Sequence, residues 1–259
     1  VVFFLRDGVS AAEKVGMTAD GADMNKYLDS GNEARIKKAY ESRDPRLQMA
    51  VITPYAQYNG ASSGIAHTYT LRWPYRGSDS AEPFDIRTDT NDKFYYLWRK
   101  FVPEGLEQTE RDTYGLDIPL IRYAEVLLLK AEALNEWGST HESEAIRCVN
   151  EVRRRAGHVE LNNATYPATK VNGQSDLRER IRNEYYWEIG GEDSMYFHEL
   201  RWGTWKDKKF DNNRNGLMQM WGETTYTWYW LGDQCWSWPI PAKEMEMNSN
   251  LEQNEGWIN

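Results

Sequence analysis

"IPLIRYAEVLLLKAEALNEWG", residues 118–138, decides the fold. Leu120, Ala124, Leu127, Ala131 and Leu134 recur at steps of three and four, the period of one helix face. Asp117 is a candidate cap, Pro119 fits a first turn, and Gly138 ends the run. After the turn "GST", Ala145, Val149, Val152 and Ala156 form a second stripe, which Gly157 closes. The spacing predicts two antiparallel helices in contact through small alanines, an αα-hairpin. At about forty residues, the unit has the size of a tetratricopeptide-like repeat. Only one clear unit is visible, so a repeat array does not follow from the residues.

Working outward, a third helix is expected from Asp176, whose spacing to Glu179 fits a capping box, to Gly191. "SMYFHELRWG" (194–203) reads as a short fourth helix. Beyond it lie aromatic turns and strands, and "TYTWYWLGDQCWSW" (225–238) alternates strictly enough to predict a core strand. Residues 1–110 read instead as loops and short strands, with Gly, Ser, Asp and Pro every few positions. One short helix is expected in "GNEARIKKAYES" (31–42), stopped by Pro45. The expected division is a loop-rich, ligand-facing segment over 1–110 and a helical region over 111–259, together in one compact domain. The fold class is mainly α: tetratricopeptide-like helical hairpins with a loop-rich layer of short strands.

Composition excludes several functions. With 259 residues, a net charge of -9 argues against a nucleic-acid or anionic-membrane surface, both of which want clustered Lys and Arg. Its 12 Trp and 16 Tyr against 7 Phe favour aromatics with a polar tip, which suit half-wet surfaces. Cys148 and Cys235 are as readily two thiols as one bridge and fix no compartment. The longest apolar run, "VLLLKA", is broken by Lys130. "VVFFLRDG" lacks the tracts of a signal peptide, so either a leader has been removed or the chain starts within a longer protein.

Four segments in order resemble one family, the SusD/RagB-like nutrient-binding lipoproteins of Bacteroidetes outer membranes. "RDPRL" (43–47) resembles its Asp-Pro-Arg turn, and "IPLIRYAEVLLLKAEALNE" with "VNEVRRRAG" its central helix pair. "IRNEYYWEIGGED" followed by "HELRWG" is similar to its Glu-rich, Arg-Trp-terminated helices. "WPIPAKEMEMNSNLEQNEGW" (238–257) resembles its closing stretch, with Glu255 in place of a Pro, Trp257 in place of a Tyr, and Asn183 an earlier departure. The lipobox Cys and early repeat helices of the family pattern are not among these residues, so the chain resembles the C-terminal half. The resemblance implies a SusD-like α/α superhelix without cofactor. It also implies glycan capture at the outer-membrane surface by a lipid-anchored protein, and delivery to a SusC-like TonB-dependent transporter.

Candidate chemistry is sparse. His67, His141, His158 and His198 have no metal-ligand spacing, and no nucleophile or phosphate-loop motif occurs. Arg122, Glu125, Arg153, Arg155, Glu184 and Glu188 fall on helices apolar enough to bury charge, and buried charges must pair. A structural ion network is the expected use of these groups, and catalysis by Glu184 and Glu188 the lesser one. "DNNRNG" (211–216) opens like a calcium loop, with Asp211, Asn213 and Asn215 at its first alternate positions, but Gly222 stands where the bidentate Glu belongs.

The aromatics remain. "PYAQYNGASSGIAHTYTLRWPYR" (54–76) carries rings for the apolar face of a sugar and polar groups for its hydroxyl rim. Tyr55, Tyr58, Arg72, Trp73 and Tyr75 are the candidate ligand-binding residues, chosen by type and by their place before the helix pair. "LRWPYRG" is expected outside regular structure, because Pro74 cannot donate to a central ladder. A β-hairpin packed on the helices is the structural alternative. Three functions remain open: glycan binding without catalysis, a helical-repeat adaptor for protein or peptide, and a glycoside hydrolase.

Overall fold

The computed structural model describes residues 40, 43–53, 55–62, 65–72, 85–87, 97–105, 117–192, 194–209 and 230–257. In chain order these hold α1 (Pro45–Ala50), β1 (Val51–Ile52), β2 (Gln57–Ser62), β3 (Ile65–Arg72), β4 (Asp85–Arg87) and β5 (Leu97–Trp98). Then come α2 (Tyr123–Trp137), α3 (Glu142–Arg155), α4 (Gln174–Ile189), α5 (Ser194–Arg201), α6 (Trp205–Lys209) and α7 (Ala242–Met247). The 31–42 helix lies outside the described residues except for Tyr40 and is not addressed by it.

The central hairpin is α2 against α3, with α4 packed on both. Ala131, Ala145 and Val149 are fully buried at this interface, and Leu127 and Val152 are buried with them. Leu177, Ile181, Tyr185 and Ile189 of α4 complete the core. Small residues at the α2–α3 contact let the two backbones approach. Of the expected stripes, Leu127, Ala131, Leu134, Ala145, Val149 and Val152 are buried, Ala124 and Ala156 half-buried, and Leu120 exposed.

The start of α2 differs from expectation. Arg122, not Asp117, is the N-cap, and Leu120 is 89% exposed. Pro119 lies before the helix rather than in its first turn. Pro45 also opens a helix: it stands in the first turn of α1, where its missing N–H costs nothing. Asp44 caps that helix through Arg46 N at 2.9 Å. Asp176 is inside α4 rather than its cap, and its carboxylate accepts from Asn172 N at 2.8 Å.

Gly157 ends α3 at φ +69°, with the N–H of His158 donating to Arg153 O and that of Gly157 to Arg154 O. This Schellman closure needs the left-handed conformation that glycine adopts without strain. It turns the chain so that His158 comes beside Asp44.

β2, β3 and β4 form a sheet in that order, β2 antiparallel and β4 parallel to β3. β3 is therefore central and Leu71 is fully buried, so the beginning of "LRWPYRG" is regular structure, contrary to expectation. β1 and β5 pair separately. The described part of "TYTWYWLGDQCWSW" is a 3-10 turn at Asp233–Trp236 flanked by exposed Leu231 and Trp238, not a core strand. Asp233 and Gly232 favour the turn over the ladder. Both cysteines are free thiols, Cys148 buried and Cys235 half-buried.

Candidate functional site

Tyr55 sits in the turn leading into β2, at φ +63°, a conformation rare for a non-glycine residue. Its N–H donates to Leu71 O at 2.7 Å, which holds the turn against β3. Tyr58, on β2, pairs in register with Tyr69 of β3. Their rings both cover Gly60, where a Cβ would stand 2.8 Å from the Tyr69 ring and 3.0 Å from the Tyr58 ring. Two half-exposed tyrosines are thus seated on one face because the residue between them has no side chain.

The segment after β5 buttresses that hairpin. Tyr58 Oη donates to Pro103 O at 3.0 Å, and Gly105 N donates to Asn59 O at 2.8 Å. Burial, with Glu104 nearby, pushes the Tyr58 phenol up, so it stays protonated at neutral pH. Arg72 closes β3 opposite Arg87, and its side chain lies outside the described residues. Trp73 and Tyr75 lie outside them too, as do Asp211, Asn213 and Asn215. Of the candidate ligand residues, the structure brings together Tyr55 and Tyr58 on adjoining backbone, and adds Tyr69, which shares the strand rhythm.

The charges form a network. Arg153 Nε is 2.8 Å from Glu184 Oε2, and Arg46 Nη1 is 2.7 Å from Glu184 Oε1. Glu188 receives Arg122 at 2.8 Å, Arg155 at 2.5 Å and Arg46 at 3.1 Å. Arg122 also reaches Glu192 at 2.7 Å, and Lys100 pairs with Glu192. Burial alone would raise the Glu188 carboxyl, but Arg122, Arg155 and Arg46 hold it below the ordinary range. Asp44 shows the same balance, with Arg46 outweighing burial. Glu125 turns to His198 instead, at 2.9 Å.

Sequence reasoning placed Arg122, Arg153, Arg155, Glu184 and Glu188 in such a network. It missed Arg46, Lys100 and Glu192. "RDPRL" carried the signal for Arg46: an Arg two residues after a helix-capping Asp is bound back to it, at 2.6 Å here.

A sequence model of the SusD family matches residues 11–257. The chain belongs to the SusD family. Curated relatives include a SusD-like protein, P38, of Formosa agariphila, 32% identical over 53% of this chain and 24% of its own length. The starch-binding protein SusD of Bacteroides thetaiotaomicron is 28% identical over 62% of this chain and 25% of its own. A solved SusD-like protein from Bacteroides fragilis superimposes with a TM-score of 0.62 at 22% identity, over 98% of this chain and 45% of that one. A SusD-like carbohydrate binding protein from the same species gives 0.53 at 24%, over 96% and 46%. These two likenesses establish the SusD-like helical fold. The match spans about a quarter of the curated relatives and under half of the solved chains.

Proposed function

We propose that this SusD-family chain belongs to a non-catalytic glycan-binding protein of a polysaccharide-uptake system. It captures oligosaccharides at the outer-membrane surface, on a lipid-anchored protein, for a SusC-like TonB-dependent transporter. The family match over residues 11–257, with a starch-binding protein among the relatives, carries this reading. The 1–110 segment faces the ligand, and 111–259 is the helical support in the same compact domain. Tyr55, Tyr58, Arg72, Trp73 and Tyr75 make the site, with rings on the sugar's apolar face and Arg72 at its rim. Each stacked ring contributes on the order of 1–2 kcal/mol by buried area.

The geometry of the carboxylates supports binding over hydrolysis. A glycosidase needs one carboxylic acid kept protonated beside an ionised partner. Glu188 is instead held ionised by three arginines, and Glu184 is shared between Arg153 and Arg46. One observation favours the adaptor reading: Ile118, Leu120, Ile121 and Tyr123 are exposed in succession at the start of α2.

A glycan array followed by calorimetry and a reducing-end assay separates these functions. Binding without product release is the expected result. Turnover supports the hydrolase, and failure to bind any glycan while capturing protein supports the adaptor.

A further inference from the structure

A cleft of about 250 Å³ opens over the ion network, between the segment after β5 and the C-terminal half of α4. Arg46, Lys100, Arg122 and Arg155 line it, against the single carboxylate of Glu188. Met49, Phe101 and Trp187 supply its apolar wall. The wall is built under strain, since Phe101 is held at φ +63°, and such backbone persists where surrounding contacts over-determine it. The size suits one ring of a ligand rather than an extended chain.

The charge of this region runs against that of the protein. Arg46, Lys100, Arg122, Arg153 and Arg155 face Asp44, Glu184, Glu188 and Glu192, which leaves the cations one ahead among the described residues. His158, beside Asp44, does not reverse this: burial, aided by Arg153, keeps its pKa low and the ring neutral. The chain as a whole carries -9. Arg155 is the accessible cation of the set. Its side chain is 58% exposed, and Nη2 alone engages Glu188, at 2.5 and 2.6 Å. Nε and Nη1 of Arg155 have no partner among the described residues, whereas Arg46 and Arg122 use every nitrogen.

We propose that this cleft binds the acidic group of an anionic saccharide, a uronate carboxylate or a sulfate ester, with Arg155 as the donor and the apolar wall against the ring. The proposal rests on the glycan-binding reading and adds a charge requirement to it. A neutral sugar hydroxyl can accept from a spare guanidinium but brings no opposite charge to it, while an anion adds charge pairing to short, directional hydrogen bonds. The segment that forms the cleft wall at Lys100 and Phe101 continues into Pro103, Glu104 and Gly105, which hold the tyrosine hairpin. A glycan on the tyrosines would therefore have an acid-reading position on the same support.

The test titrates the chain calorimetrically with three series: oligogalacturonate, a sulfated galactan oligosaccharide, and its unsulfated neutral counterpart, each at low and high salt. The expected result is that at least one anionic series binds about tenfold more tightly than the neutral one, a preference that high salt removes. Which series wins distinguishes carboxylate from sulfate. Arg155→Gln also loses its contact to the buried Glu188 and should lower the melting temperature. Titrated at a temperature where the variant is folded, it should lose the preference and keep its neutral-glycan affinity. Equal affinity for acidic and neutral series, or an unchanged preference in Arg155→Gln, overturns the proposal and leaves glycan binding intact. Failure of every series to bind overturns both.

Discussion

Arg153 of α3 and Glu184 of α4 meet at 2.8 Å with 5% and 0% of their side chains exposed. The pair joins two helices of the central core, and Arg153 Nη1 also donates to Val159 O at 2.8 Å. Both oxygens of Glu184 are committed, the other to Arg46. Such a pair adds little over a well-packed apolar contact, but losing one member leaves a buried charge without its counter-ion.

Glu184→Gln should therefore destabilise the fold by roughly 3–5 kcal/mol, because Arg153 and Arg46 both lose a carboxylate. Denaturant unfolding measures the loss. Glycan affinity at a temperature where the variant is folded should stay at the wild-type value. An affinity loss at an unchanged unfolding midpoint would instead place Glu184 in a site.

Ala131 tests the helix contact. It is fully buried on α2 against α3 and α4, with Ala145 and Val149 equally buried. Leu at this position has no space to enter, so Ala131→Leu should cost roughly 1–3 kcal/mol by overpacking. A melting temperature equal to wild type would mean that the interface is looser than the burial implies.

The helical half was legible because burial writes a period into the residues: Leu127, Ala131, Leu134, Ala145, Val149 and Val152 are core as their spacing predicts. Boundaries were less legible. Asp117 and Pro119 match helix-start chemistry, yet α2 begins at Tyr123, and the apolar Leu120 is in solvent. Local signals of this kind fit more than one start, and tertiary contacts choose; here Arg122 is drawn to Glu188 and Glu192 at the cap. Pro45 carries the same ambiguity, since proline both ends one helix and begins another. In the β2–β3 hairpin, Tyr58 was legible as an aromatic candidate by residue type. Its pairing with Tyr69 over Gly60 was not, because cross-strand register is a property of two segments at once.

Acid should act in two steps. The His158 ring, edge-on to Trp187, has its pKa depressed by burial first and by the Arg153 charge next, with Asp44 and Glu184 opposing. Below about pH 6.5 the unfolded chain takes up a proton that the folded chain resists, so stability present above that pH is lost as it falls. Asp44 and Glu188 have depressed pKa values, so their contribution is full above roughly pH 4.5 and lost in stronger acid. Melting temperature followed from about pH 8 downward should decline below about 6.5 and again below about 4, and only the first step should vanish in His158→Gln. A wild-type curve flat to about pH 5 would mean that the ring is protonated in the fold.

Tyr58 separates a stacking surface from a structural ring. Its hydroxyl is spent on Pro103 O at 3.0 Å, so its single donor is unavailable to a sugar hydroxyl. What it offers a ligand is its half-exposed ring, set beside Tyr69 above Gly60. Tyr58→Phe keeps the ring and drops the bond. It should cost roughly 0.5–1.5 kcal/mol of stability and leave glycan affinity within about twofold. Tyr58→Ala removes the ring and should weaken binding about tenfold, roughly 1.4 kcal/mol, beyond whatever it costs the fold. Calorimetric titration of both variants, each beside a melting curve, gives the two quantities independently. If Phe loses as much affinity as Ala, the hydroxyl and the backbone it ties down are what the ligand needs. If neither loses affinity while both lose stability, Tyr58 only braces the hairpin on Pro103, and the sugar is met elsewhere among the candidate residues.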